Sequence, residues 1–591
     1  MFDSTVGAGS VVMPYGGKTQ MTPTQSMVGL LPTLTAECDT VTIMSYGFDP
    51  YLSSWSPFHG AAYAVVDSVA KVAAAGGDVR RIRLTFQEYF KKLGQDPYRW
   101  GQPLAALLGA YNAQMGLKLP AIGGKDSMSG TFNDIDVPPT LCSFAVGISN
   151  LKHVVTPELK QPGNYLYLLE VKPDKDGMPN YKMLLAMYHA LYQAVGKGSI
   201  KSAYAVGFGG IAEAVSKMSF GNRMGVQFDS KLNTEELFEK KYGAIVVEVF
   251  NCGCLPAIAR KIGRVTDTGM FEINGENISM DEMLQSWTSP LEEIFPTNSG
   301  ASTDTAIRQN SLYKAKNIYV CKHKSAKPHV FIPAFPGTNC EYDSSRAFLR
   351  AGAEAEIKVF RNLNANQIHE SVEAFAHAID NSQIVMIPGG FSAGDEPEGS
   401  AKFITSVFRN PQISDAVMRL LKERDGLMLG ICNGFQALVK LGLVPYGEIR
   451  QQSEDSPTLT FNTIGRHLSM IAHTKVVSNL SPWLQKAELG KSYVVPISHG
   501  EGRFVAPKEW IDKLFANGQV ATQYVDLNDR TTMQEPYNMN GSYMSIEGIT
   551  SPDGRVLGKM AHSERWRPGT YRNIVGDQDQ LIFESGVAYF A

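Results

Sequence analysis

A multidomain protein of mixed class is predicted, α+β over the first half of the chain and α/β over the second. Three observations predict it. Segments of strand and helix period mingle without regular order up to about residue 295; apolar strands and amphipathic helices alternate from about residue 328; and a polar stretch at 296–327, with Ser, Thr, Asn and Lys interspersed, reads as a linker. A length of 591 residues agrees with about four domains at roughly 150 residues each.

The first block, residues 1–150, opens on glycine-rich turns. From Ala61 to Ala75, Val65, Val69 and Val72 recur with Val66, Ala70 and Ala73 beside them, a helical spacing that Gly76-Gly77 stops. A second helix is expected near Pro103–Met115. A short strand Leu119–Ile122 then leads into Gly123-Gly124-Lys125-Asp126-Ser127-Met128, and Thr140–Ile148 reads as a buried strand. The second block, 151–295, carries a strand Tyr165–Glu170 and a helix Lys182–Val195. The turn Gly207-Phe208-Gly209-Gly210 then opens a helix Ile211–Met218, and Gly243–Val249 is a strand.

The third block, 328–591, is more regular. Strands Val330–Ala334, Ala355–Phe360, Ile384–Ile387 and Leu427–Ile431 are separated by helices at Glu341–Arg350 (closed by Gly352), at Ala365–Ala378 and in the stretch before Leu427. That spacing makes right-handed βαβ units on a parallel sheet, whose reactive residues sit at the carboxyl ends of strands. Pro388-Gly389-Gly390 and Cys432 occupy two such ends.

Composition narrows the chemistry. With 43% apolar and 19% charged residues the chain has ample core material and is not disordered. Lys+Arg 55 against Asp+Glu 58 leaves a formal charge of −3, so nothing calls for nucleic acid, while a local pocket can still be positive for a small anion. There is no run of 18 apolar residues and no signal peptide, so no membrane role is expected. The seven cysteines (Cys38, Cys142, Cys252, Cys254, Cys321, Cys340, Cys432) are odd in number and lack zinc-site spacing, Cys252-Gly253-Cys254 having no second pair or histidine partner. A reducing, cytoplasmic setting is the expectation.

Gly430-Ile431-Cys432-Asn433-Gly434-Phe435-Gln436 has the form of a nucleophile elbow: a strand, a strained turn at the thiol, and a helix starting at once. A thiol there has its thiolate stabilised by the helix N-terminus, and the flanking glycines admit a substrate. A lone cysteine is more often a buried structural one; the frame argues otherwise. A cysteine nucleophile needs a base and an orienting group. His562 and Glu564, two apart beyond a strand-like Arg555–Met560, are expected to point to one side of its continuation. Pro388-Gly389-Gly390-Phe391 ends a buried strand with unhindered backbone N–H groups suited to an oxyanion, though Gly-Gly after a strand is often only a turn.

Phe335-Pro336-Gly337-Thr338-Asn339-Cys340, Pro388-Gly389-Gly390-Phe391-Ser392-Ala393-Gly394-Asp395, the Cys432 elbow and Ser498-His499-Gly500-Glu501-Gly502-Arg503, in that order, resemble the class I glutamine amidotransferase domain of the phosphoribosylformylglycinamidine synthase family of purine biosynthesis. The resemblance implies a class I glutaminase with a central parallel-type sheet. It also implies that Cys432 attacks the carboxamide of glutamine, His562 shuttles the proton and Glu564 orients His562. Gly389, Gly390, Phe391, Asn433 and Gln436 then serve the oxyanion and glutamine.

Phe2-Asp3-Ser4-Thr5-Val6-Gly7-Ala8-Gly9 and Gly124-Lys125-Asp126-Ser127-Met128-Ser129 resemble the second synthetase half of the same family, built as two domains like aminoimidazole ribonucleotide synthetase. ATP and Mg2+ serve the complete enzyme, with Asp3 the implied magnesium ligand and Lys125 the implied nucleotide contact. Gly123-Gly124-Lys125 is not a P-loop: Lys118 stands where the first glycine belongs and Asp126 where Ser/Thr would hold magnesium, so by composition it is a tight turn. Two departures weaken the nucleotide site. Asp67 is followed by Lys71 in place of an amide, and Ala205-Val206-Gly207-Phe208-Gly209-Gly210 lacks the acids and serine of the family motif. A hard cation wants oxygen ligands, so the site is expected to be degenerate. The family's large form starts several hundred residues earlier, so the chain is expected to be its C-terminal part, a fragment or a split-gene product. Its expected partners are glutamine, formylglycinamide ribonucleotide and the missing first synthetase half. The alternative is a non-catalytic scaffold half with an idle glutaminase; a stand-alone cysteine amidase leaves the first 290 residues unexplained.

Overall fold

The computed structural model describes residues 3–33, 36–229, 232–250, 255–300, 307, 311–392 and 400–591; Cys252, Cys254 and the Ala393-Gly394-Asp395 end of the glycine-rich motif lie outside them. The chain packs as two units. One comprises Gly9–Ile294 with Gly569–Val575; the other comprises Met1–Ala8, Phe295–Pro568 and Gly576–Ala591.

In the first unit, β1 (Met27–Leu30), β2 (Thr40–Gly47), β3 (Arg83–Tyr89), β4 (Ala121–Lys125) and β5 (Thr140–Asn150) form a five-stranded sheet in the order β1-β2-β5-β3-β4. Helix α1 (Pro57–Ala74) packs on β2 and β5, burying Val65, Val66, Val69 and Val72 as its period requires. Ser56 caps it and Pro57 occupies its first turn, whereas Gly76 (φ +91°) turns where a Cβ would lie 1.8 Å from the carbonyl of His153. Helix α2 (Pro97–Leu117) starts six residues earlier than the apolar pattern, at the Asp96 cap, and ends at left-handed Lys118. Its outer face leaves Trp100, Leu104, Leu107, Leu108, Tyr111 and Met115 exposed.

The strand expected at Leu119–Ile122 is instead β4, two residues later. It is a sheet edge paired in parallel with β3, so Gly123-Gly124-Lys125 is extended strand and not a tight turn. The pairing needs Gly124, whose Cβ would lie 2.6 Å from the carbonyl of Phe86. The rest of this unit is a seven-stranded sheet with α3 (Tyr181–Gly196) and α4 (Gly210–Phe220) among its helices.

The second unit centres on a nine-stranded sheet. Its strands are β6 (His329–Ala334), β7 (Glu354–Val359), β8 (Ile384–Ile387), β9 (Leu427–Ile431), β10 (Leu468–Val476), β11 (Ser492–His499), β12 (Val520–Tyr524), β13 (Ile546–Thr550) and β14 (Val556–Lys559). The order is β7-β6-β8-β9-β14-β13-β12-β10-β11; the first five run parallel and the others add antiparallel. Strands β8 and β9 are buried throughout, which is why they read as unbroken apolar runs. Helices α5 (Glu341–Arg350), α6 (Ala365–Asp380), α7 (Pro411–Lys422) and α8 (Asn433–Leu441) follow their strands, and Phe331, Phe335, Phe360 and Phe375 pack edge-to-face or offset-stacked under the sheet. Among the described residues no helix is long and apolar enough to cross a membrane.

Candidate active site

The site starts from the end of β9. Cys432 follows Ile431 with φ +53° and ψ −105°, a conformation that costs about 1–3 kcal/mol and persists only where its surroundings enforce it. They do so here. The N–H of Cys432 donates to the carbonyl of Lys559 at the end of β14 (2.9 Å), its carbonyl accepts from the Gln436 N–H (3.0 Å), and α8 begins at Asn433. Both frame glycines are obligatory: a Cβ on Gly434 would lie 2.0 Å from the carbonyl of Ile387, and one on Gly430 2.6 Å from that of Gly434.

Cys432 opens on a cavity of about 210 Å³ lined also by Gly390, Phe391, Gln436, Phe461, His467, Ser498, His499 and Glu501. Its Sγ lies 3.5 Å from the carbonyl of Ser498. Asn433 and Gln436 brace the wall: Asn433 Nδ2 donates to Gln436 Oε1 (2.9 Å), and Gln436 Nε2 donates to the Glu501 carbonyl (2.6 Å).

The Gly389-Gly390-Phe391 turn is tied to the loop before α5. Asn339 N–H donates to Gly389 and Phe391 N–H to Gly337 (2.9 Å). The Phe391 amide, expected among the unhindered donors, is therefore engaged, and Phe391 meets the cavity with its half-exposed ring. Gly390 (φ +148°) lines the cavity, and Gly389 packs on His562, whose Cε1 would be 2.7 Å from an added Cβ.

His562 and Glu564 come together, but not along a strand. Strand β14 stops at Lys559 and residues Ser563–Arg565 form one 3-10 turn, which folds Glu564 Oε1 back to 2.6 Å from His562 Nδ1. Both side chains are fully buried, and His562 Nε2 has no hydrogen-bond partner among the described residues. A carboxylate on Nδ1 fixes the tautomer with a lone pair on Nε2. Burial, then the Arg565 cation, lowers the pKa of His562, with Glu564 opposing both; burial alone would raise Glu564, but His562 and Arg565 hold it low. Both shifts favour a neutral imidazole beside an ionised carboxylate.

Sequence reasoning missed the supports. Lys559, buried 3.4 Å from Glu547, donates to the Ala561 carbonyl (2.7 Å) and Ser563 Oγ (3.1 Å), gripping the turn on both sides of His562. Arg565 donates to Asp3 Oδ2 (2.5 Å), Thr5 Oγ1 (2.9 Å) and the Cys340 sulfur (3.1 Å). Cys340, His562 and Glu564 offer ligand atoms within 4.8 Å of one another, yet the Arg565 guanidinium on the Cys340 sulfur sets a fixed positive charge against any cation. No local pattern marked these residues; the buried lysine and arginine flank a histidine at positions that read as surface.

The two implied nucleotide residues belong to different units. The Asp3 carboxylate is held by Arg565 in the second unit, and Lys125 is exposed on β4 of the first. In that first unit, Lys71 Nζ bonds Asp67 (2.7 Å) and the Tyr46 carbonyl (2.8 Å), Glu213 accepts the Gly209 N–H (2.6 Å) while paired with Lys217, and Asp49 is paired with Lys240 (2.7 Å). Asp67 Oδ2 and the Gly209 N–H are thus engaged from within the chain, while Asp67 Oδ1 is buried with no hydrogen-bond partner among the described residues.

His499 gives the site a pH signature. Burial, then His562 and His467, depresses its pKa to about 3, so it stays neutral in the fold. Between about 6.5 and 3 the unfolded chain binds a proton that the folded one does not, so stability falls as pH drops through that window, by up to about 1.4 kcal/mol per pH unit from this group. Urea unfolding of His499→Asn against wild type from pH 7 to 4 should show a shallower loss in the variant; parallel curves would contradict this.

A family model described as a CobB/CobQ-like glutamine amidotransferase domain matches residues 327–590. The phosphoribosylformylglycinamidine synthase subunit PurQ of Sulfurimonas denitrificans is 34% identical over 257 residues, 44% of this chain and 97% of that one. A probable phosphoribosylformylglycinamidine synthase, chloroplastic/mitochondrial, of Arabidopsis thaliana is 25% identical over 522 residues, 78% of this chain and 36% of that one. The chain thus spans about a third of the plant relative's length. The solved PurLQS structure from Thermotoga maritima aligns with 45% of this chain and all of the matched one, at 24% identity and a TM-score of 0.33.

Proposed function

The chain belongs to the phosphoribosylformylglycinamidine synthase family, and from that premise we propose that its second unit hydrolyses glutamine at Cys432, with His562 as proton carrier and Glu564 as its orienting carboxylate. The observation that carries this is the strained Cys432 on a cavity of about 210 Å³, in the same unit as a buried imidazole with Nδ1 engaged and Nε2 open. His562 takes the thiol proton and the thiolate attacks the carboxamide carbon. The oxyanion is met by backbone N–H groups at Gly390 and the start of α8. The C–N bond then breaks as the imidazolium protonates the leaving nitrogen, releasing ammonia. Water, deprotonated by the same imidazole, cleaves the thioester to glutamate and the free thiol.

In the complete enzyme the ammonia goes to formylglycinamide ribonucleotide activated by ATP and Mg2+, giving the amidine, ADP and phosphate. The residues of this chain's first unit fit Mg-ATP poorly: the Lys71 ammonium takes one Asp67 oxygen that a hard cation would need, and Glu213 brings a carboxylate to the Gly209 N–H, which disfavours an anionic phosphate there. No step is assigned to a nucleotide there. The exposed apolar face of α2 beside the unpaired edge β4 supports a partner of matching apolar character, the first synthetase half. The free cysteines Cys38, Cys142, Cys321, Cys340 and Cys432 fit a cytoplasmic setting.

Cys432→Ala and His562→Ala should each lower glutamate release by several orders of magnitude without changing the melting temperature by more than a few degrees, and Glu564→Gln should lower it less. Wild-type turnover in Cys432→Ala would sink the assignment. Calorimetry of the full chain with Mg-ATP should show no binding tighter than about millimolar; a micromolar isotherm would mean the internal ion pairs yield to nucleotide. With formylglycinamide ribonucleotide, Mg-ATP and ammonium, the amidine should form only when the first synthetase half is added in trans, and product without it would place a working synthetase site in residues 9–294.

A further inference from the structure

Asp3 has no role in the chemistry above, yet it meets the catalytic turn at one end and the cavity wall at the other. Its Oδ2 pairs with Arg565, the residue after Glu564, at 2.5 Å, and Ser498, which lines the cavity beside Cys432, is among the neighbours that favour its charged form. His467, also on that wall, bonds Ser498 Oγ at 3.0 Å. The segment that carries Asp3 is strapped down along its length. Gly7 N–H donates to Asp343 (2.8 Å), Arg346 donates to the Gly7 carbonyl (2.8 Å) and Arg567 to the Ala8 carbonyl (2.7 Å). We infer that Asp3 is a positioning residue of the glutaminase centre, acting through Arg565 on the Glu564–His562 pair.

The argument is one of charge balance in a dry site. Arg565 is almost fully buried, and a buried guanidinium without a carboxylate turns to the next available anion. Here that anion is Glu564, whose bond to His562 Nδ1 holds the ring. Arg565 donates to Asp3, Thr5 and the Cys340 sulfur, bonds that engage both of its terminal nitrogens. Among the described residues, the groups that face His562 and Glu564 include Arg565 on their own turn, Cys340 and Asp343 from the loop and start of α5, His499 at the end of β11, Lys559 at the end of β14, and Asp3. Asp3 is the anion among them that the arginine holds by a direct hydrogen bond. Its other oxygen, Oδ1, accepts from the Thr5 N–H (3.0 Å) and Thr5 Oγ1 (2.6 Å), so both oxygens of the carboxylate are held as acceptors.

The inference rests on the glutaminase reading, and its test separates the two. Asp3→Asn should lower kcat for glutamate release tenfold or more with KM within about twofold, because Asp3 is not among the cavity-lining residues. It should also move the acid limb of the kcat profile to lower pH, since loss of this anion removes a negative charge beside the arginine and makes His562 a weaker base. Asp3→Glu, which keeps the charge, should recover most of the wild-type profile. The imidazole resonances of His562, identified by their loss in His562→Ala, report the same shift without turnover and should titrate at lower pH in Asp3→Asn. An unshifted His562 titration in Asp3→Asn overturns the inference, as does loss of kcat with the acid limb unmoved, which would mark a merely structural contact. Absence of glutamate release from wild type would overturn the glutaminase reading instead, and the resonance shift would still decide the role of Asp3.

Discussion

The parallel pairing of β9 with β14, with Ile431 opposite Lys559, is the constraint on which the site depends. It sets two strand ends side by side although their residues are far apart in sequence. The bond from the Cys432 N–H to the Lys559 carbonyl is the last rung of that ladder, made one residue after β9 has ended. It fixes the elbow and the start of the histidine turn with a single contact. A register slip of one residue would turn Cys432 to the opposite face and move the whole turn with it.

Beneath this rung the protein keeps charge where apolar packing would be simpler. Lys559 and Glu547 are fully buried, and Glu547 also accepts from Ala561 N–H (2.7 Å) and Thr522. Such a pair gains little over an apolar replacement, yet removing one member costs about 3–5 kcal/mol because the other stays buried and unpaired. An exposed pair such as Lys508–Asp512 is worth about 0.3–0.5 kcal/mol. The large term is thus spent on geometry: Lys559 holds the peptide on both sides of His562 in a turn that apolar contacts, being non-directional, could not specify.

What the sequence displays follows from which interactions are local. The strands β8 and β9 and the helix Glu341–Arg350 were legible to the residue because both strand faces are buried and because Gly352 stops the helix. The Cys432 frame was legible because its glycines answer to backbone clashes within a few residues. His562 and Glu564 were legible as a pair but not as a 3-10 turn: strand alternation puts residues two apart on one side, whereas here His562 precedes the turn and the Glu564 side chain reaches back to it. The occupied Phe391 amide, the neutral His499 and the Asp3–Arg565 bond were not legible, for each is set by a partner from a remote segment. Helix α2 was read short because its first turn is written in a cap and a proline, not in apolar period. The Gly123-Gly124-Lys125 stretch was misread as a turn because its strand character comes wholly from pairing with β3.

The two units exchange chain at their ends. Residues 3–8 belong with the glutaminase sheet, whereas Gly569–Val575, deep in the C-terminal sequence, pack in the other unit: Tyr571 and Arg572 donate to the carbonyls of Ser10 and Val11, Gly17 donates to Asn573, and Asn573 Oδ1 accepts from Met13. Covalent order and packing order therefore disagree at both termini. A cut anywhere between residues 300 and 311 would leave each piece carrying a ribbon of the unit that the other piece mainly builds. A split gene for this architecture would therefore yield two products, neither of which holds every residue of one unit.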